Sequence, residues 1–457
     1  MRFAPSPPMS RAVPTVGPRA TPALAVAFLL GLCPALPADL SANPATAEAT
    51  TSDTTGDAAG WTRFRGPNGS GHGAASGLPA TIDDRAIAWR ATLPGAGHSS
   101  PVLWRDTLFL TAEDSEQPGH RQVLAIATTD GAVRWSWQAP FDPHRRHDSF
   151  NNFASTTPTV DAKRVYVSWN SGDRSEVIAL DHDGEPLWHR VWPGFVPDHG
   201  TTASPILVDG VLIVAHEHKG EGAMLAGLNP VDGDTLWQEA RTHDKDAYGT
   251  PVVAVDHDGS RQLITVSTAY GFEGRDPRTG RLLWRHNPGF QMRAVGSPTA
   301  AGDIVVATLG QGAAGRESAV LRIGSSDGGR PPELLHELGS GMPYVPTPLV
   351  VDGRLYLLND GGLFSCVDLM TGEVLYDRER LPAERNAKWF SSPVLADGKI
   401  WCASLEGEVV TLQPGAGFQV LGTSSLGAPV NATPAVDANT IYLRAGNELL
   451  AVRGSAR

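Results

Sequence analysis

From about residue 87 onward, apolar and polar positions alternate in short runs, and turn residues interrupt the runs at regular intervals. Val208-Asp209-Gly210 and Val351-Asp352-Gly353 are such turns, and the second is followed by the alternating run Arg354 to Leu358. A period of two broken by Asp-Gly predicts antiparallel hairpins. A third run follows in each unit, as in Glu176 to Leu180 or Phe364 to Asp368. It ends in a second turn at Asp183-Gly184, Asp232-Gly233, Thr279-Gly280 or Thr371-Gly372. A fourth run then carries a large aromatic at matching phase: Trp135, Trp188, Trp237, Trp284 and Tyr376.

These units recur. Each opens on a small residue followed by proline, at Pro101, Pro158, Pro205, Pro251, Pro298, Pro348, Pro393 and Pro434. A repeat of 40 to 50 residues with four strands per unit is the signature of a propeller blade. Eight openings predict eight blades. A blade cannot bury both faces alone, so neighbours must stack around an axis, with the recurring aromatics between them. After Pro434 there is room for three strands, whereas the segment from Ile87 to Arg90 precedes the first blade and resembles a fourth strand. The predicted architecture is therefore all-β: an eight-bladed β-propeller of four-stranded antiparallel blades, over 87–457. An amino-terminal strand completes the last blade and pairs two edges that would otherwise be exposed.

Composition agrees and narrows the function. Gly 50 and Pro 36 among 457 residues suit many tight turns, and three cysteines are too few for a disulfide framework. With 37 Lys+Arg against 49 Asp+Glu the net charge is −12, which argues against nucleic acid as a partner. At the amino terminus, Arg2, Arg11 and Arg19 precede an apolar run from Ala23 to Leu32 and then small residues, the pattern of a secretory signal over 1–47. Cleavage after Ala38 or after Ala47 fits equally. The run is shorter than the roughly 20 residues a membrane span needs, so no transmembrane segment is expected. Cys33 follows Leu30-Gly31-Leu32, similar to a lipoprotein box except that the residue before the cysteine is large; a lipidated amino terminus stays open as an alternative. Residues 48–86 read as a linker and a Trp/Gly-rich leader. The chain is expected to be exported to the periplasm or the exterior and to act as a monomer.

The repeated pattern from Ile178-Ala179-Leu180-Asp181 to Leu187-Trp188 resembles the pyrroloquinoline-quinone (PQQ)-binding-like β-propeller repeat proteins, in the secreted form found in planctomycete-type bacteria. So do the leader Trp61 to Gly71, Asn151 to Pro158, Val345 to Leu349 and Leu357 to Gly362. The resemblance spans residues 61–457. It implies kinship with quinoprotein dehydrogenases and with a barrel-assembly scaffold of the outer membrane; fold alone does not choose between them. For a dehydrogenase it would imply PQQ in the axial channel, calcium held by oxygen ligands, an Asp base and, in alcohol-oxidising members, adjacent cysteines. The chain has no adjacent cysteine pair, since Cys366 and Cys402 fall in different units.

In a propeller the segments just before each inner strand converge on one axial mouth. Here they supply His98, Asn151, Asn152, His199, Tyr248, Arg293, Tyr344, Trp389 and Asn431 as ligand- or partner-binding candidates. Such a polar and aromatic rim suits a sugar, a peptide or a partner loop; its alternative is ordinary solvated loop. His216-Glu217-His218 has a spacing that zinc or copper could use, but with no third ligand evident it is expected to be two exposed histidines, and no metal site is predicted. The Asp-His-Asp-Gly runs at 181–184 and 256–259 are expected to be hairpin turns. The insert from Pro140 to Phe153, with His144-Arg145-Arg146-His147-Asp148, either engages an anionic partner or caps the rim. Trp61 and Phe64 are expected to dock on the propeller. No phosphate loop, zinc helix or nucleophile elbow is present. The expectation is a non-catalytic scaffold that holds an envelope protein or polymer, with no cofactor; the alternative is a PQQ- and calcium-dependent oxidoreductase.

Overall fold

The computed structural model describes residues 60–142, 151–194, 198–201, 203–312, 314–339 and 341–454. Eight antiparallel sheets follow one another along the chain, as the repeat requires. Blade one spans 102–140, blade two 159–193, blade three 206–240, blade four 252–286, blade five 299–336, blade six 349–380 and blade seven 394–425. First strands of successive blades touch, as Val252–Val255 does Thr299–Ala301, and so surround the axis.

Burial follows from that placement. The first three strands of a blade lie between neighbours and are buried almost throughout, as in Val211–His216 and Met224–Leu228. The fourth strand is the outer rim and alternates between half-buried and exposed, as in Pro186–Pro193. Period-two alternation is therefore sharpest in the outermost strand, where one face meets water.

The recurring aromatics pack across the seams. Trp135 donates its indole N–H to the His182 carbonyl of the next blade at 2.7 Å, Trp188 to Pro230 at 3.0 Å and Trp237 to Pro277 at 3.0 Å. Each ring rests on a turn glycine with positive φ. A Cβ on Gly184 would lie 2.8 Å from the Trp135 ring, and one on Gly280 would lie 2.4 Å from that of Trp237, so both close approach and conformation select glycine there. At blade four the link lengthens by one residue: Trp284 donates to Gln262 at 2.5 Å, and Gln262 donates to the Gly324 carbonyl. His336 takes the aromatic's place in blade five, reaching the Leu369 carbonyl at 2.9 Å.

Blade eight is built from Ala435–Asp437, Thr440–Ala445 and Glu448–Arg453, and its outermost strand is Ile87–Thr92. The register pairs Arg90 with Leu450 and Thr92 with Glu448. The ring is thus closed by the amino-terminal strand, and Trp89 continues the aromatic series by donating to Thr128 of blade one at 2.8 Å. Two blades carry an extra short strand. His72–Gly73 runs parallel to Val394–Ala396, and Gly95–Ala96 pairs with the second strand of blade one. The signal segment and most of the insert, 143–150, lie outside the described residues.

Candidate functional site: the axial cavity

The residue before every opening proline is Ser or Thr, and the eight form a closed hydrogen-bonded circle. Ser100 N–H donates to the Thr157 hydroxyl at 3.1 Å, Thr157 to Ser204 at 3.0 Å, Ser204 to Thr250 at 3.0 Å and Thr250 to Ser297 at 2.9 Å. Ser297 donates to Thr347 at 3.1 Å, Thr347 to Ser392 at 3.0 Å, Ser392 to Thr433 at 3.1 Å and Thr433 back to Ser100 at 2.9 Å. Each blade is stitched to the next by one amide-to-hydroxyl bond, and the last bond joins blade eight to blade one. All eight hydroxyls line one cavity of about 570 Å³ on the axis.

Strand alternation carries the lining outward. Two residues before the hydroxyls come His98, Ser155, Tyr248, Val295, Val345, Phe390 and Asn431, and beyond them Asn151, His199, Arg293, Tyr344 and Lys388. One rim arc is tied together. Asn151 donates Nδ2–H to the His199 carbonyl at 2.6 Å, and His199 N–H donates to the Tyr248 hydroxyl at 3.2 Å. Tyr248 donates to Asp246 at 2.7 Å; burial first and then Asp246 push its phenol far above the ordinary range, so it stays protonated. Arg293 lies 2.7 Å from His199 Nε2, and since a guanidinium can only donate, that nitrogen accepts. Tyr344 and Val345 give their amides to Asp360, whose carboxyl burial raises to about 6 against the pull of those two bonds.

The opposite end of the axis is occupied by the leader. Trp61 O accepts from Leu103, Thr62 O from Val160, and Gly71 O from Leu395. Arg63 donates to the Pro251 carbonyl at 2.7 Å, Arg65 to Pro348 at 3.2 Å and Pro393 at 3.3 Å, and Asn68 exchanges two bonds with Val253. These partners lie one to three residues past the hydroxyl circle on the inner strands. Trp61 is buried, whereas Phe64 forms part of the cavity's lining. Burial away from any carboxylate lowers the Arg65 guanidinium to about 9, so it remains a cation at neutral pH.

Of the nine rim candidates, His98, Asn151, His199, Tyr248, Arg293, Tyr344 and Asn431 line the cavity, while Asn152 and Trp389 do not. In blades seven and two the local phase accounts for this. Lys388 and Phe390 share the phase of Ser392 and face the axis, so Trp389 between them points into the core, against Gly362. Asn152 is off phase in the same way, and its carboxamide accepts the Ala154 amide at 2.9 Å. His216 and His218 correct another expectation, because both are buried rather than exposed. His216 meets the Ser168 hydroxyl at 3.0 Å and the edge of Trp192, and burial, then His218, lower it to about 3. The Asp-His-Asp-Gly runs are turns, closed by Gly184 onto Asp181 and by Gly259 onto Asp256.

Sequence reasoning missed the ionic cluster beside His218. Glu273, fully buried, receives Arg241 at 2.5 Å, Arg275 at 3.0 Å and Arg285 at 2.5 Å, and Arg241 also meets Glu217 at 3.1 Å. The signal was present: Gly271–Arg275 carries Glu273 and Arg275 at core-facing phase in a third strand where other blades carry aliphatics.

The eight-bladed ring and its repeat, together with the family match, make the chain a PQQ-binding-like β-propeller protein. The family model described as outer membrane protein assembly factor BamB matches residues 81–330 and 274–457, and the chain belongs to that family. The BamB of Shewanella oneidensis is 24% identical over 312 residues, 64% of this chain and 71% of that protein. The crystal structure of BamB from Moraxella catarrhalis aligns at TM-score 0.59 and 16% identity, over 80% of this chain and 97% of that one. A europium-containing methanol dehydrogenase aligns at TM-score 0.62 and 12% identity, over 86% and 91%. The two structural likenesses are likenesses of fold. Calcium asks for several oxygen ligands, carboxylates foremost. No Asp or Glu is among the described residues that line the cavity, and Cys366 and Cys402 stand in different blades. This donor set does not fit a calcium-held quinone.

Proposed function

We propose that the protein is an exported, non-catalytic scaffold of the cell envelope that holds a protein or polymer partner at its axial mouth. The observation that carries this reading is the cavity itself. It is open to one face, backed by the leader, and lined among the described residues by hydroxyls, aromatic rings, amides and two cations, a set suited to binding. Kinship with a family described as an assembly factor supports a protein partner over a polymer. No helix among the described residues is long and apolar enough to cross a membrane, which suits an exported protein, and a lipid on Cys33 would hold it at a membrane surface.

The test is site-specific photocrosslinking in cells. A crosslinking residue at Asn431, on the rim, is expected to give a discrete adduct, and one at Glu185, on an outer turn, none. Adducts at both positions or at neither would overturn the axial-mouth reading. The oxidoreductase alternative predicts tight one-to-one binding of PQQ with calcium by calorimetry; that result would displace the scaffold reading.

A further inference from the structure

The hydroxyl circle accepts protons and gives none. Each of the eight oxygens accepts an amide from the preceding blade, and none of the eight donates its own proton to a protein acceptor among the described residues. All eight residues are more than nine-tenths buried, and all line the cavity. Buried donors are as a rule paired with protein or with an ordered molecule. Eight unpaired donors in a single tier around the axis therefore call for an occupant whose acceptor oxygens are spread around its perimeter.

The leader supplies the floor of that tier. Phe64 lines the cavity from this side and is half-buried, and its ring has no aromatic or cationic partner among the described residues. The charges of the lining are already engaged. Arg293 stands 3.6 Å from Asp198 and 2.7 Å from His199 Nε2, and Lys388 has an interaction of its own. No carboxylate is among the described lining residues. The tier is thus uncharged, with hydroxyl donors around it and an aromatic ring below. Its cavity of about 570 Å³ falls within the about 300–1,000 Å³ usual for small-ligand sites.

We infer that the hydroxyl tier is a binding site for a neutral pyranose. This goes beyond the scaffold reading, which concerns a macromolecular partner at the rim above. A pyranose whose hydroxyls are all equatorial carries its oxygens around its edge and its C–H groups on its two faces. The edge meets the donors of the circle, and one face lies toward Phe64, so that a polar perimeter and an apolar floor serve one ligand. An extended polypeptide offers its acceptors along a line rather than around an edge, and an oxoanion asks for a charge that the tier does not carry. The circle also confers stereochemical selectivity. An axial hydroxyl turns out of the tier and leaves a buried donor unpaired, which a site built on hydrogen bonds rejects strongly.

The test titrates the purified exported chain by calorimetry with methyl β-D-glucopyranoside and with methyl β-D-galactopyranoside, which differs only in one axial hydroxyl. The glucoside is expected to bind one-to-one and about fivefold more tightly than its epimer. Ser297→Ala removes one donor and should weaken it by about three- to tenfold. Phe64→Leu leaves the circle complete and should weaken it by about threefold, whereas Phe64→Tyr should retain most of the affinity. Melting curves accompany the titrations, and if Ser297→Ala unfolds early the two Phe64 variants decide. No binding at tens of millimolar, equal binding of the two epimers, or unchanged affinity in both Ser297→Ala and Phe64→Leu would overturn the inference. Displacement of the glucoside by inorganic phosphate would overturn it too, by assigning the tier to an anion. The Asn431 crosslinking assay separates this inference from the axial-mouth reading. An adduct without glucoside binding would sink the pyranose site alone; glucoside binding without an adduct would sink the axial mouth alone.

Discussion

At the seam between blades eight and one, Trp89, Leu443 and Leu450 share one continuous apolar cluster with Leu108, Leu110 and Leu124 of blade one, and the cluster runs on into Trp401 of blade seven. At the seam between blades three and four, Ile213 and Leu225 meet Leu263 in a similar way near the axis. The rest of that seam is ionic, with Glu217, Glu239 and Glu273 against Arg241, Arg275 and Arg285, and Tyr270 beneath two of the guanidiniums at 3.9 and 4.6 Å. An apolar seam is non-directional and degrades in proportion to the area lost. A buried ionic seam holds only while its charges balance, because each ion has given up its hydration. The first depends on a complete edge, the second on a complete set of partners.

Cutting the edge should have the largest effect. Deletion through Arg90 removes most of the fourth strand of blade eight and the indole of Trp89, uncovering Leu449 to Val452. The expected loss exceeds about 5 kcal/mol, read as a steep fall in the melting temperature. An unchanged melt would refute closure by the amino-terminal strand. Trp89→Ala isolates the packing part, at about 3–5 kcal/mol.

At the ionic seam, Glu273→Gln leaves Arg241, Arg275 and Arg285 facing one another. Burial alone would raise the Glu273 carboxyl, but the three guanidiniums outweigh it and hold it below its usual range. Removing that charge should cost about 3–5 kcal/mol in urea unfolding. Replacing Glu273, Arg241 and Arg275 together by Leu and Met should cost far less, since the charges leave as a set. If the single change proves milder than the triple, the seam is not held by charge balance.

The same region should dominate the acid response. Burial lowers His216 to about 3, and burial with Arg241 lowers His243 to about 4. Unfolded histidine titrates near 6.5, so below that pH the unfolded chain binds protons the folded chain refuses, and stability falls as pH drops. Between pH 6.5 and 5 each histidine accounts for about 2 kcal/mol. Asp360, raised to about 6, and Glu217, raised by burial, act in the opposite sense. His216→Gln should therefore flatten the slope of unfolding free energy against pH over this window. A slope that does not change would mean that His216 is protonated in the folded protein.

How far the fold could be read in advance is explained by the same two seams. Blade count, strand order and the closing strand follow from proline spacing and from the outer strands, where one wet face keeps the alternation visible. The cavity lining was legible to within one residue of phase: His98 and Tyr248 lie on axis, whereas Trp389 does not, because a bend-rich loop hides the parity that the later Ser392 fixes. The Ser/Thr circle was visible only as small residues before proline, since its meaning lies in bonds between blades some 41 to 57 residues apart. Ser204→Ala tests that meaning. It leaves the buried Thr157 amide without its acceptor and should cost about 1–2 kcal/mol, without altering the apolar cores on either side. The ionic seam was missed for a related reason: Glu273 and Arg275 stand at core-facing phase, but what that means depends on partners, 32 residues away in the case of Arg241 and Glu273, that only the fold brings together.

The smallest effect belongs to the charge pair on the closing edge. Arg90 donates to Glu448 at 2.7 Å on the diagonal of the closing strand's register, two positions from its direct partner Leu450, but both side chains remain more than one-third exposed. Water screens such a pair and two long side chains must be ordered to make it, so its coupling should be below about 1 kcal/mol. A double-mutant cycle of Arg90→Ala and Glu448→Ala, read by urea unfolding, measures that coupling apart from the packing of the strand. The comparison then has its sharpest form. A pair of similar length to Arg241 and Glu273 stabilises little at the apolar seam because it can fall back on water, whereas the buried pair cannot. A coupling above about 2 kcal/mol at Arg90 would mean that closure relies on electrostatics after all, and that the two seams differ in degree rather than in kind.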